Sequence, residues 1–189
     1  MNGLELSRAF YEEYGAPMLQ EQFPAQAGLI AAGLLGSGSE TLGFDDEVSR
    51  DHDFEPGFCL LLPDESVVDR RTAFLLERAY AKLPKEFMGF KRSAVAPVGG
   101  ARHGVLRTAD FFREKVGAPD GVLTVDQWLK IPQQALLEAT GGQLFRDDLG
   151  RSRPSGRPSL ICRRTCAKSA SAATCSSWPR RGNITTFGA

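Results

Sequence analysis

A chain of 189 residues, 42% hydrophobic and 24% charged, is long enough for one domain with a sizeable core, or one domain followed by a tail. Its zero net charge is a cancellation, because residues 1 to 149 hold 15 Lys/Arg against 23 Asp/Glu while residues 150 to 189 hold 8 basic residues and no acidic ones. No apolar run approaches the roughly 18 residues of a membrane span, and Met1-Asn2-Gly3-Leu4-Glu5 lacks the basic and apolar regions of a signal peptide, so a cytoplasmic protein with no membrane partner is expected.

From Leu6 to about Phe23 the spacing predicts a helix, capped by Ser7, with Phe10, Tyr11, Tyr14 and Leu19 as its apolar stripe and Pro17 breaking or kinking it. Leu29 to Leu35, interrupted by Gly33, reads as a buried strand. A glycine-serine turn at Gly38-Ser39 and a solvated acidic loop (Asp45, Asp46, Glu47) follow. Asp51 to Leu62 reads as a second strand, interrupted near Pro56-Gly57 and ended by Pro63. Cys59 lies inside its apolar run, where a buried reduced thiol is expected. Asp64 to Leu83 predicts a helix with Val68, Leu75, Ala79 and Leu83 on one face and Pro84 as its stop.

His103, beside Arg102, reads as a surface residue, and His52 as one packed on the far face of the sheet. Gly104 to Arg107 predicts a third strand, followed by a short helix from Ala109 to Val116. Thr124-Val125-Asp126-Gln127 fits a capping box that would turn Trp128 and Leu129 inward. Pro132 suits a first helical turn, and Gly141-Gly142 closes that helix. The expected class is therefore α+β: a mixed sheet with flanking helices over residues 1 to 149, then an irregular tail.

After Asp148-Leu149 the sequence turns to Arg, Ser, Pro and Cys without hydrophobic periodicity. Cys162, Cys166 and Cys175 are spaced C-x3-C and C-x8-C, which is not a paired zinc-knuckle pattern, and no histidine follows them. The tail's basic residues lack interleaved aromatics, so nucleic acid is not an expected partner through this segment. An out-of-frame origin explains more. Read one frame over, codons for Ser177 to Thr185 can encode Met-Ala-Gln-Ala-Gly-Gln-Tyr-Asn, and the same shift from Ser152 onward can yield an amphipathic helix. The tail is expected to be poorly ordered, since it has too little apolar surface to offset its ordering entropy.

The residues that carry chemistry lie between Gly38 and Phe54. On a strand, Asp51 and Asp53 share a face about 6.5 to 7 Å apart, so both can reach a common metal centre while His52 points away. Two carboxylates on hard Mg²⁺ ions, with triphosphate oxygens completing the shell, suit phosphoryl and nucleotidyl transfer. Gly38 lets backbone approach a phosphate and Ser39 adds a hydroxyl donor. Lys85, Lys91 and Arg92 could also meet phosphates, although a solvated basic patch is the simpler reading.

Gly38-Ser39, eleven intervening residues and then Asp51-His52-Asp53 resembles the signature of the polymerase-beta-like nucleotidyltransferase superfamily. More narrowly, Gly36-Ser37-Gly38-Ser39-Glu40, Gly43-Phe44-Asp45-Asp46-Glu47, Ser49-Arg50-Asp51-His52-Asp53-Phe54 and Pro56-Gly57-Phe58-Cys59 look like its uncharacterised bacterial branch, the domain of unknown function 4037. The resemblance runs through Trp128 and Phe145-Arg146-Asp147-Asp148-Leu149, covering about residues 1 to 149. It implies a two-ion Mg²⁺ site on Asp51 and Asp53, Gly38 and Ser39 against a nucleoside triphosphate, and transfer of a nucleoside monophosphate to an unknown hydroxyl acceptor. Family members continue into a helical region containing Gln-Ala-Gly-Gln-Tyr-Asn, which the shifted frame recovers, so a C-terminal helical domain is expected to be missing. Two departures stand out: Glu40-Thr41-Leu42 occupies a place where many members carry a basic residue, and the third carboxylate has only Asp110 as a candidate. A non-catalytic nucleotide-binding or interaction module, or an inactive truncated product, are the alternative readings.

Overall fold

The computed structural model describes residues 2–42, 55–92 and 103–148. Helix α1 (Gly3–Phe10) opens on a capping box: Asn2 Oδ1 accepts from the Glu5 amide at 2.8 Å and Glu5 Oε2 from the Asn2 amide at 2.9 Å. Ser7, expected as the cap, is instead buried within the helix. The predicted break at Pro17 is a change of pitch. A π-helical stretch, Tyr11–Gly15, joins α1 to α2 (Ala16–Gln22), and the Ala16 amide bonds the Tyr11 carbonyl five residues back. Pro17 has no N–H and its ring would strike the carbonyl four residues back, so one wider turn absorbs the misfit and the helix continues. A short α3 (Pro24–Ala27) leads into the sheet.

Four strands form a mixed sheet in the order β5 (Gly104–Arg107), β2 (Cys59–Leu62), β1 (Ala31–Leu34), β6 (Gln143–Arg146). β1 runs antiparallel to β2, with Gly33 opposite Cys59 and Ala31 opposite Leu61, and antiparallel to β6; β2 and β5 are parallel. Both central strands are buried at every position, which explains why their sequences read as continuous apolar runs. Side chains alternate between two packed layers. Ala32, Leu60 and Leu62 join Leu6, Phe10, Leu19, Leu76 and Tyr80 on one face, while Ala31 and Leu61 join Phe111, Phe112, Val116 and Ala139 on the other. Cys59 is buried, and burial pushes its thiol up to about 11. The predicted second strand is shorter than expected, since Glu55 to Phe58 precede β2 without strand structure around Pro56-Gly57; its Asp51 to Phe54 part lies outside the described residues, as does the tail from 150 to 189.

Helix α5 (Arg70–Ala81) starts at Asp69, whose Oδ1 accepts from the Thr72 amide at 2.8 Å; Asp64, the expected start, instead accepts from the Ser66 amide at 2.9 Å in the turn before it. Its inward residues are Leu76, Ala79 and Tyr80, continued by Leu83, and Leu75 is exposed. Leu76 and not Leu75 lies three, four and seven residues from those partners, the spacing of one helical face. A two-residue turn at Met88 and Gly89, both at positive φ, joins β3 (Glu86–Phe87) to β4 (Phe90–Lys91).

The remaining helices are α4 (Ser39–Leu42), α6 (Thr108–Val116), α7 (Val125–Lys130) and α8 (Gln133–Thr140). The capping box at α7 forms, with the Gln127 amide donating to Thr124 Oγ1 and the Thr124 amide to Gln127 Oε1. The inward placing of Trp128 and Leu129 is corrected: Leu129 is 82% exposed and Trp128 41%, because α7 buries none of its residues against the described chain. Strand β6 was not anticipated. Its four residues are all only half-buried at the sheet edge, so they carry neither a continuous apolar run nor strict alternation. No helix among the described residues is long and apolar enough to cross a membrane.

Two contacts locate the second face. Gly142, at φ 83°, donates its amide to the Thr41 carbonyl at 2.7 Å, and a Cβ there would lie 1.9 Å from the Leu34 carbonyl oxygen. Gly142→Ala is expected to destabilise the fold by about 3 kcal/mol, against about 1 kcal/mol for Gly89→Ala, which meets no atom within 4 Å; denaturant midpoints measure the difference. Between α6 and α8, Lys115 Nζ donates to Glu138 Oε2 at 3.0 Å and holds the Glu138 carboxyl below its ordinary value. A depressed carboxylate contributes stability above its unfolded pKa and loses it as pH falls through the folded one. Glu138→Gln should therefore flatten the acid limb of a stability-against-pH curve by about 1 kcal/mol, and flatten the alkaline limb as well, because Glu138 also raises the Lys115 ammonium and that contribution is lost as pH rises through the folded value.

Candidate functional site

The site is built at one end of the central strand pair. Because β1 and β2 are antiparallel, the chain leaving β1 at Leu34 and the chain arriving at β2 at Cys59 lie at the same end of the sheet. After β1 the backbone turns through Gly36 at φ 96° and Gly38 at φ 140°, angles that L side chains rarely adopt. Ser39 then begins α4. Thr41 fixes this turn: its hydroxyl lies 2.8 Å from the carbonyl oxygens of both Gly36 and Gly38, and one proton is shared between them. Glu40, which stands where the resembled superfamily commonly has a base, is buried beside it.

At the same end of the sheet lies the approach to β2, Glu55 to Phe58. Phe58 is fully buried, and its backbone is gripped by one side chain. The Tyr80 hydroxyl donates to the Phe58 carbonyl at 2.8 Å and accepts from the Phe58 amide at 3.2 Å, and Gly104 N–H reaches the same carbonyl at 3.0 Å. Burial pushes the Tyr80 phenol well above the ordinary tyrosine range, so it stays neutral and can both donate and accept. Arg92 stacks over the Tyr80 and Phe10 rings at 5.0 and 5.6 Å and donates to the Tyr80 carbonyl at 3.1 Å. It thus packs at the base of the hairpin. Lys85 and Lys91 are exposed.

His103 corrects the surface reading. It is buried, with Nδ1 3.3 Å from Glu55 Oε1, and its ring lies against Gly57, where a Cβ would come within 2.5 Å of His103 Cγ. Its Nε2 is buried and has no hydrogen-bond partner among the described residues. The Glu55–His103 pair pins together the starts of the parallel strands β2 and β5. The signal for this in the sequence was position, since His103 immediately precedes a strand; its neighbour Arg102 obscured it.

Of the sequence-based site residues, Gly38 and Ser39 stand at the turn described above. Asp51 and Asp53, together with His52 and the loop at Asp45 to Glu47, lie outside the described residues. Glu55, two residues after Asp53, lies on the approach to β2 at the same end of the sheet as the turn. Asp110 does not join this end: it is exposed in the first turn of α6, bonded to Arg113, and α6 begins where β2 finishes, with Thr108 Oγ1 donating to the Leu62 carbonyl at 2.9 Å. Among the described residues no three His, Cys, Asp or Glu side chains converge as a metal cluster. Among the described residues, Gly36 and Gly38 at positive φ leave backbone at this sheet end unshielded by Cβ, a geometry open to close approach by an anion.

Comparison with known protein families finds no match, and neither a search of curated proteins nor one of solved structures finds a match. Tyr80→Phe is expected to lower stability by about 1 to 3 kcal/mol, because it strands the Phe58 amide without a partner while its carbonyl keeps Gly104. Thermal melts of the variant measure this, and amide exchange should be fastest at Phe58 to Leu60.

Proposed function

We propose that this chain is a metal-dependent nucleotidyltransferase that moves a nucleoside monophosphate from a triphosphate to a hydroxyl acceptor. Asp51 and Asp53 hold Mg²⁺, and Gly38 and Ser39 meet the triphosphate. The observation that carries the reading is the antiparallel register of β1 and β2, which supports a site between the positive-φ turn at Gly36 to Gly38 and the segment feeding β2. The resemblance of Gly38-Ser39 and Asp51-His52-Asp53 to the superfamily signature supports it from the sequence. The metal supplies charge neutralisation on the leaving pyrophosphate. The acceptor oxygen forms its bond to the α-phosphorus as the bond to pyrophosphate breaks, and the hydroxyl proton passes to water.

A second reading, a nucleotide-binding module without turnover, is favoured by one observation: Asp110, a candidate third carboxylate, is engaged by Arg113 away from the turn. Pyrophosphate release separates the two readings, since the module binds nucleotide and releases none.

The test is equilibrium binding of a nucleoside triphosphate with and without Mg²⁺. The chain should bind in the presence of Mg²⁺, and Asp51→Ala with Asp53→Ala should weaken binding at least about a hundredfold, the loss of two charge-assisted metal contacts. Unchanged binding in the double variant removes both residues from the site.

A further inference from the structure

The segment from Arg70 to Arg92 is out of character with the rest of residues 1 to 149: it holds 7 Lys/Arg against 2 Asp/Glu within a region where acids outnumber bases 23 to 15. Its basic residues are not scattered. On α5 and its C-cap residue Lys82, the positions Arg71, Phe74, Leu75, Arg78 and Lys82 fall within an arc of about 100° on the face opposite Leu76, Ala79 and Tyr80. All five are exposed, Phe74 at 56%, and neither acidic neighbour, Glu77 on α5 or Glu65 before it, falls on that arc. Arg70, off the stripe, is taken by Glu65 at 2.7 Å. Arg78 lies over the Phe74 ring at 5.9 Å, so the aromatic is embedded among cations.

We infer that this stripe of α5 binds single-stranded nucleic acid. Three cations along about 16 Å of helix match a run of backbone phosphates, and an exposed aromatic between them offers a face on which a base can stack. Interleaving decides against a lipid surface. A membrane-lying helix segregates its apolar face from its cations, and here Phe74 and Leu75 sit between Arg71 and Arg78, so immersing one would immerse the others. The stripe also leads toward the candidate site. α5 follows β2 and runs back past it, and Tyr80, two residues before Lys82, grips Phe58 at the start of β2. If the nucleotidyltransferase reading holds, on which this last step rests, the strand bound along α5 supplies the acceptor hydroxyl from its terminal ribose.

The test is fluorescence anisotropy of a labelled single-stranded 12-nucleotide RNA, about the reach of one such site, with the full chain at low salt. Replacing Arg71, Arg78 and Lys82 together by Ala should weaken binding at least about tenfold and reduce the salt slope by about 2. Phe74→Ala should weaken it about tenfold with the slope unchanged, and Phe74→Trp should restore it. Thermal melts equal to the parent's confirm that these surface variants fold. Asp51→Ala with Asp53→Ala should bind the RNA as the parent does, so failure of the nucleotide site and failure of the strand site read out separately. Four results would each overturn the inference: no binding at low salt; parental affinity in the triple variant, which would assign binding to the basic tail; equal affinity for blunt duplex with no effect of Phe74→Ala; or preference for anionic vesicles over the strand.

Discussion

The contact on which most of the described chain converges is the double hydrogen bond between the Tyr80 hydroxyl and the Phe58 backbone. It ties α5 to the start of β2, and through Gly104 it ties both to the start of β5. The Phe58 ring packs edge-on against Tyr80 at 5.0 Å and Tyr11 at 5.3 Å, and tilted against Phe10 at 5.8 Å, so the π-helical turn, α1 and α5 share one aromatic anchor. Such pairs are worth about 0.5 to 1.5 kcal/mol each beyond burial, and together they hold the β2 approach in one geometry.

That anchoring has a functional corollary. Gly38 and Ser39, proposed to meet the triphosphate, follow the end of β1, and Asp51 and Asp53 precede β2 in the chain. The ends of these two strands are clamped from both sides. On one side the Thr41 hydroxyl and the Gly142 amide hold the turn after β1; on the other Tyr80 and the Glu55–His103 pair hold the approach to β2. Polar groups buried at strand ends, where the ladder stops, serve here to position backbone.

The elements most legible from the residues were those whose pattern is local. β1, β2 and β5, the capping box at α7 and the buried thiol of Cys59 follow from apolar runs, a four-residue signature and burial of an apolar stretch. The misreadings share a cause, which is that burial depends on partners far away in the chain. Leu75 and Leu76 are equally apolar, and only the position of the sheet selects Leu76. Trp128 and Leu129 have an inward-facing spacing with nothing described to face. His103 becomes internal because β5 lies parallel to β2, and β6 escapes notice because an edge strand needs little apolar sequence.

By itself, then, the sequence determined the class of the fold, the pairing of a glycine turn with a D-x-D segment, and the charge anomaly that divides body from tail. Each is a property of neighbours in the chain: hydrophobic period, turn chemistry, local charge. Tertiary structure alone decided that the turn and the approach to β2 lie at the same sheet end, that Asp110 stands away from it, and that Arg71, Phe74, Arg78 and Lys82 share an outward face. Those facts depend on strand direction and on which helical face meets the sheet, and both are settled by packing between segments dozens of residues apart.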